Sequence, residues 1–298
     1  SIAFPGFPEG EVRRSADAVA ALFEATGLFD TVEVRTAQVA GTDEVGMPAV
    51  LATRAARPGQ PTVLLYAHHD VQPVGDERLW DSPPFELTER DGRVYGRGSA
   101  DDKGGIITHV AALRALKETL GEEFGLGLAV FIEGEEEAGS RSFAQFLEDN
   151  RDALAADLIV VTDSGNWDAR TPGLTVSLRG NTRFTLTVRT LAHASHSGMY
   201  GGAVPDSMMA TIKLLDTLWS DDGSVAVAGL TERVADTPPY SEDDLRRETG
   251  LLPGVSPIGM TPRSFVLPVG GGTQALGGSV QDGSDGFFTN GTLAVTPI

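Results

Sequence analysis

The first half of the chain alternates helical and extended hydrophobic patterns. The segment "EVRRSADAVAALFEATG" places Val12, Ala16, Val19 and Phe23 on one helical face, and Gly27 follows as a stop signal. Two strands are predicted next, "VEVRT" and "MPAVLATRA", and three continuous apolar runs follow, "PTVLLYA", "LGLAVFI" and "DLIVV". Such runs are typical of strands buried on both faces of a sheet. With a crossover helix in "KGGIITHVAALRALKETLG", the pattern predicts an α/β fold, a mainly parallel sheet flanked by helices.

The pattern changes near residue 174, where a second domain is predicted to begin. The stretch "TVSLRGNTRFTLTVRT" alternates apolar and polar residues, as a sheet with one solvated face does. The helix predicted in "DSMMATIKLLDTLW" has an apolar face for core packing, formed by Met208, Ile212, Leu215 and Trp219. A short acidic helix is predicted within "ADTPPYSEDDLRRETGLLPG", and "VGGGTQALGGSVQDGSDG" is glycine-rich and aperiodic.

Composition and charge narrow the classes of function. The chain has 298 residues, enough for two domains, and its net charge is 23 − 42 = −19. This charge disfavours nucleic acid and anionic membranes and attracts cations. There is no cysteine, so any metal must be held by His, Asp and Glu. No apolar run approaches the ~20 residues of a membrane span and residues 1–15 lack a signal-peptide pattern, which predicts a cytoplasmic protein.

Polar residues that break the strand pattern all lie where strands end. "YAHHDVQP" closes one apolar run, "IEGEEEAGS" and "VVTDSGNW" close two others, and "GRGSADDKGG" precedes the crossover helix. In an open α/β sheet, the carboxyl ends of the strands are where a ligand site forms. The sequence therefore predicts one rim that gathers His68, Asp101, Glu136, Glu137 and Asp163.

Each of these motifs also has a structural interpretation. A strand-end Asp is commonly a helix cap, "HHD" can be a polar turn, and an acidic run is usually a solvated face. The conjunction of a histidine and carboxylates at successive strand ends favours a metal site instead. Oxygen and imidazole ligands suit zinc, manganese or cobalt, and adjacent glutamates let one bind metal while the other activates water.

The motifs "AHHDVQP", "GRGSADDKG", "EGEEEAGS", "TDSGNW" and "HSGMYGG", in this order, resemble the M20 family of metallopeptidases. The likeness is strongest to its dipeptidase branch, related to carnosinase and cytosolic nonspecific dipeptidase. It covers residues 1–260 and implies a zinc-peptidase-like catalytic domain with an inserted α+β lid that mediates homodimerisation. The implied domains are 1–178 (first half of the catalytic domain), 179–260 (lid) and 261–298 (an unassigned glycine-rich tail).

The resemblance also implies metal ligands and their ions. His68 and Asp163 would bind one divalent ion, Glu137 the other, and Asp101 would bridge both. Zinc is the first expectation for the two ions, with manganese or cobalt as alternatives.

Three further residues receive roles by resemblance. Glu136 would be the general base, and Asp70 would orient the ring of His68. His196 would stabilise the oxyanion in the partner subunit's site. The neighbouring Ser195 and Ser197 are not assigned as nucleophiles because no "GxSxG" elbow is present.

The implied function is hydrolysis of the amide bond of dipeptides or short peptides by a metal-bridging water. One alternative is an N-acyl amino acid deacylase or desuccinylase of the same superfamily. Another is a noncatalytic fragment, because family members have a second catalytic half with a further ligand histidine. The five histidines here are His68, His69, His109, His193 and His196, and none of them follows the lid. The sequence therefore predicts a site one ligand short, weak activity for this chain alone and a chain incomplete at its C-terminus.

Overall fold

The computed structural model describes most of the chain, and contacts divide it into two units. The described residues are 1–122, 124–166, 168, 170–175, 184–220, 225–229, 241–255, 276–281 and 292–297. Unit 1 is Ser1–Leu174 and unit 2 is Thr175–Ile298. Among the described residues, no helix combines the length and the apolar character needed to cross a bilayer.

Unit 1 is built on a five-stranded sheet with the order β1-β2-β6-β3-β7. β3 pairs in parallel with β6 and with β7, whereas β2 pairs antiparallel with β1 and with β6. Four of these five strands therefore run in one direction and β2 runs in the other. The strands are β1 (Thr31–Arg35), β2 (Ala49–Arg54), β3 (Thr62–His68), β6 (Gly127–Glu133) and β7 (Leu158–Val161). A separate antiparallel hairpin contains β4 (Thr88–Arg90) and β5 (Arg93–Tyr95).

Helices cover this sheet. α1 (Glu9–Glu24) packs on β1 and β2, and α2 (Lys103–Leu120) packs on β3. The four predicted core residues of α1 are all buried, because their spacing places them on one face. One apolar cluster joins α1 and α2 to the sheet, and a second includes α3 (Phe143–Asp149). The second cluster centres on Phe131, whose ring stacks on Phe146 with centroids 4.7 Å apart.

These observations confirm the predicted α/β class and correct one detail. The run "LIVV" of β7 was expected to be buried on both faces, but all four side chains are exposed. β7 lies at the edge of the sheet and pairs only with β3 among the described strands. Hydrophobicity alone cannot distinguish a central strand from an edge strand, because it does not encode which neighbours are present.

Unit 2 contains three short helices and three strands among its described residues. The strands form an antiparallel sheet with the order β8-β10-β9. The elements are β8 (Phe184–Thr187), α4 (Ser197–Tyr200), α5 (Ser207–Asp216), α6 (Glu242–Thr249), β9 (Leu276–Gln281) and β10 (Thr292–Pro297). The two predicted helices are confirmed as α5 and α6. Residues 176–183 of the predicted alternating segment lie outside the described residues.

The predicted packing face of α5 is wrong for two of its four residues. Met208 and Ile212 are exposed, and the buried residues of the helix are Ser207 and Thr211. Leu215 and Trp219 are half-buried, so the first part of the predicted face is exposed while the small polar residues Ser207 and Thr211 are buried. The division into a catalytic half (1–178), a lid (179–260) and a tail (261–298) stays a prediction.

Candidate metal centre

The acidic motifs come together because of strand direction. β3 ends at His68, β6 ends at Glu133, and Asp163 follows β7 by two residues. Since β3, β6 and β7 are parallel, their carboxyl ends lie at one edge of the sheet. Asp101 precedes α2 on the loop that leads into this helix, and the Asp101–Asp102 peptide bond is cis.

Two overlapping groups of side chains at this edge have the geometry to hold a cation. His68, Asp101 and Glu137 each offer a ligand atom within 4.8 Å of the others, and His68, Glu136 and Asp163 form a second such group. The His68 Nε2 atom lies 3.0 Å from an Asp101 oxygen and 4.0 Å from an Asp163 oxygen. The structure thus brings the five predicted rim residues into one cluster around His68.

Asp70 lies beneath this cluster and is fully buried. One of its carboxylate oxygens is 3.3 Å from His68 Nδ1, which fixes the ring with Nε2 toward the rim. The two oxygens also accept hydrogen bonds from the backbone N–H groups of Glu136 and Glu137, both at 3.1 Å. A single buried carboxylate therefore contacts both motifs. The sequence predicted the contact with the imidazole but not those with the glutamate turn.

The carboxylates around His68 favour a positive charge on its imidazole. Burial alone would lower the pKa of His68, but the hydrogen bond and charge of Asp70, with Asp163 and Glu136 nearby, raise it to about 10. Burial raises the pKa of Glu136 to about 7, and the charges of Asp163 and Glu137 add to this effect against the opposing charge of His68. Glu136 is thus suited to exchange a proton near neutral pH.

A divalent cation fits these residues. The donor set is one imidazole with carboxylate oxygens, which is the set that zinc and manganese accept in proteins. Because the surrounding carboxylates raise the pKa of His68, a divalent cation competes with a proton for its Nε2 atom.

Two residues near the centre were not singled out from the sequence. Asp102 is buried, accepts hydrogen bonds from the N–H groups of His68 and Gly105, and caps α2; burial raises its pKa to about 6. The side-chain amide of Gln72 donates to a Glu137 oxygen at 2.7 Å. The signal for Gln72 was its position within "HHDVQP", the motif that also contains the assigned residues His68 and Asp70.

Other charged and polar groups beside the centre have internal partners. Glu133 accepts from the Tyr66 hydroxyl at 2.8 Å, and burial raises the pKa of its carboxyl. His69 donates from Nε2 to the Pro48 carbonyl, and burial lowers the pKa of this imidazole to about 4. His109 is buried in α2, with Nε2 2.9 Å from the Tyr66 carbonyl. These contacts are structural, and none of the three residues belongs to either candidate metal group among the described residues.

His196 belongs to unit 2. It precedes α4, and its Nδ1 atom accepts a hydrogen bond from the N–H group of Gly198 at 3.0 Å. It lines a surface pocket together with Ser195, Tyr200 and Asp206. The role predicted for it depends on a second subunit and stays a prediction.

The sheet and its rim define a class of protein: an α/β protein with a candidate divalent-cation site at the carboxyl ends of its parallel strands. Residues 64–268, more than half of the chain, match the family model described as peptidase family M20/M25/M40. The chain belongs to this family, which confirms the resemblance found in its motifs.

The chain is similar to several curated dipeptidases. A cysteinylglycine-S-conjugate dipeptidase of Corynebacterium striatum is 39% identical over 201 residues, which are 67% of this chain and 44% of the relative. A Cys-Gly metallodipeptidase of Schizosaccharomyces pombe is 34% identical over 226 residues, 72% of this chain and 47% of the relative. The human Beta-Ala-His dipeptidase is 33% identical over 200 residues, 66% of this chain and 39% of the relative. The chain thus spans less than half the length of these relatives.

Solved structures support the fold. Human carnosine dipeptidase 1 superposes with a TM-score of 0.62 at 24% identity, covering 100% of this chain and 67% of that one. An M20 family metallo-carboxypeptidase from Sulfolobus solfataricus superposes with a TM-score of 0.72 at 21% identity, covering 99% of this chain and 67% of that one. At these identities the likeness concerns the fold alone.

Proposed function

We propose that this chain carries a metal-dependent peptidase site that hydrolyses the amide bond of dipeptides or short peptides. The observation that carries the proposal is the pair of overlapping groups that share His68, one with Asp101 and Glu137 and one with Glu136 and Asp163. The names of the relatives, which are dipeptidases, supply the substrate class.

The proposed chemistry assigns one task to each side chain. Divalent ions bound by His68, Asp101, Glu137 and Asp163 would supply Lewis-acid activation of the amide carbonyl. Glu136 accepts a proton from the attacking water and returns it to the leaving amine, so the carbon–nitrogen bond breaks and an acid and an amine form. Asp70 holds the His68 ring and the backbone of the glutamate turn in place throughout.

Two matched variants test the proposal. Glu136→Gln removes the base but keeps the size of the side chain, so we expect turnover of a dipeptide to fall by about 10²–10⁴-fold while metal content stays nearly intact. Glu137→Gln removes a proposed ligand, so we expect metal to be lost as well. Metal content is measured by elemental analysis on the same samples that are assayed for hydrolysis.

Equal metal loss in the two variants would overturn the division of roles between the glutamates. A wild-type chain that holds metal without any hydrolysis would favour the noncatalytic alternative. A panel of dipeptides and N-acyl amino acids separates peptidase from deacylase, and a chelator should abolish either activity.

Several finer statements belong to the same proposal. Zinc as the resident metal and a cytoplasmic location rest on the sequence. A homodimer through 179–260 is supported by the exposed apolar side chains of α5, Met208, Met209 and Ile212, since such a face is typical of a surface that is covered on association. His196 as an oxyanion donor across that dimer rests on the motif "HSGMYGG".

A further inference from the structure

The turn that carries Glu136 and Glu137 is held at the backbone from beneath. The N–H groups of both residues donate to the carboxylate of Asp70, as described above. A second buried carboxylate, Glu135, comes directly before them in the chain and is 5% exposed. It has no part in either candidate metal group. Its contacts therefore need a different explanation.

Glu135 connects the turn to two other segments. Its Oε1 atom accepts hydrogen bonds from the N–H group and the hydroxyl of Ser142, the latter at 2.6 Å. Its Oε2 atom accepts from the N–H group of Met47 at 3.0 Å. Its backbone carbonyl accepts from the N–H group of Ser140 at 2.9 Å. One side chain thus joins the loop before β2, the glutamate turn and the start of α3.

The surroundings of Glu135 are shaped for this arrangement. A Cβ atom at Gly46 would lie 2.1 Å from the Ser142 hydroxyl and 3.1 Å from a Glu135 oxygen, so only glycine fits there. Ser142 occupies the N-cap position of α3, yet its side chain accepts no hydrogen bond from that helix. Its hydroxyl donates to Glu135 instead, which leaves the usual capping interaction unmade.

A carboxylate with three donors in a buried setting resists movement, because any shift leaves a charged oxygen without a partner. Glu135 directly precedes Glu136, whose side chain faces the rim. The position of the rim glutamates is therefore set on one side by Asp70 and on the other by Glu135.

We propose that Glu135 is a positioning residue that holds the backbone of the Glu136–Glu137 turn in place for metal binding. Its effect on metal rests on the proposed function, whereas its effect on the turn does not. Glu135, the first glutamate of "GEEE", thus has a task distinct from those of its two neighbours.

Three variants of the whole chain test this proposal. Glu135→Gln keeps the volume but turns one carboxylate oxygen into a donor that faces another donor. Ser142→Ala removes one of the three hydrogen bonds and is the milder change. Val19→Ala, in the buried face of α1, lowers stability at a place that does not touch the turn and serves as the matched control.

The first readout is hydrogen exchange of the 134–142 segment in metal-free protein. We expect exchange there to speed up at least about tenfold in Glu135→Gln and about fivefold in Ser142→Ala, relative to Val19→Ala. The second readout is Zn²⁺ titration by calorimetry. Loss of a residue that orients metal ligands costs about 10–100-fold in affinity, and we expect that range for Glu135→Gln.

Unchanged exchange in both variants would overturn the proposal. Faster exchange with unchanged Zn²⁺ affinity would also overturn it, because Glu135 would then be a local structural residue without effect on the ligands. If wild-type protein binds no Zn²⁺, the proposed function fails. Faster exchange in Glu135→Gln would then still show that Glu135 holds the turn in place. Should Glu135→Gln not fold, Ser142→Ala alone decides through the same two measurements.

Discussion

The two units differ in where their apolar side chains lie. In unit 1, apolar clusters lie on both faces of the sheet and β6 is buried along its whole length, although β7 at the edge is exposed. In unit 2, the described part of α5 exposes Met209 and Ile212, and no residue of α6 is buried. Unit 1 therefore buries most of its apolar side chains in a core, whereas α5 of unit 2 leaves apolar side chains exposed.

This difference explains why the candidate centre is found in unit 1. Carboxylates crowded at strand ends repel one another and are costly to desolvate, so they need a rigid support. Buried Asp70, together with strands that leave little freedom at their ends, provides that support. An exposed helix such as α5 gives no comparable fixation but offers apolar surface for association.

The largest effect is expected from the core of unit 1. Phe131→Ala removes a ring that is 2% exposed and stacked on Phe146, and we expect a loss of about 3–5 kcal/mol in the free energy of unfolding of unit 1. Met209→Ala in the exposed face of α5 is the matched change, and we expect it to stay within about 0.5 kcal/mol. Urea unfolding followed by circular dichroism and peptide-level hydrogen exchange measures both. Similar losses would remove the contrast between the units.

The next largest effect is expected on dimerisation, because the proposed homodimer would cover the apolar face of α5. Ile212→Lys introduces a charge there, and we expect the dissociation constant of the dimer to rise at least about 100-fold, or 2.7 kcal/mol. Light scattering across a concentration series measures it, with Lys213→Ala as a control on the same helix. Wild-type protein that is monomeric at every concentration would contradict the prediction.

The relative affinity of the two proposed ions tests whether unit 1 alone supplies all the metal ligands. The motifs that resemble the family assign His68 and Asp163 as terminal ligands to one ion and Glu137 alone to the other. We therefore expect the first ion to bind at least about tenfold more tightly, a difference of 1.4 kcal/mol, and dipeptide hydrolysis to be weak. Calorimetric titration with an activity assay measures this. Two equally tight ions with efficient turnover would show that a residue outside unit 1 completes the site.

The smallest effect concerns His109, a buried histidine of unit 1. Burial lowers the pKa of His109 below its unfolded value of about 6.5, so the unfolded chain binds more protons than the folded chain below that pH. Stability is therefore lost as pH falls through 6.5. Between pH 6.5 and 5.5 we expect His109→Gln to lose less stability than wild type, by at most about 1 kcal/mol.

Urea midpoints of wild type and His109→Gln, compared at the two pH values, measure this effect. Equal losses of stability in the two proteins would mean that the effect does not arise from burial of His109 in α2.

Much of unit 1 could be predicted from sequence because its signals are local. The spacing of Val12, Ala16, Val19 and Phe23 encodes α1, and apolar runs encode β3 and β6. Polar residues at the ends of parallel strands predicted the rim around His68, since parallel strands present their carboxyl ends at one edge. Residue types and order were sufficient for these inferences.

What only the tertiary structure decided depends on which segments become neighbours. The apolar run of β7 is the same kind of sequence as β3, but it lies at an edge and is exposed. The helix α5 was predicted correctly, yet its buried residues are Ser207 and Thr211 while Met208 and Ile212 are exposed. Glu135, Glu136 and Glu137 are chemically identical and adjacent, and they differ because Met47 and Ser142 surround the first while the other two reach the rim. Periodicity fixes the face on which a side chain lies, whereas burial and role follow from contacts between residues far apart in the chain, which a local pattern does not contain.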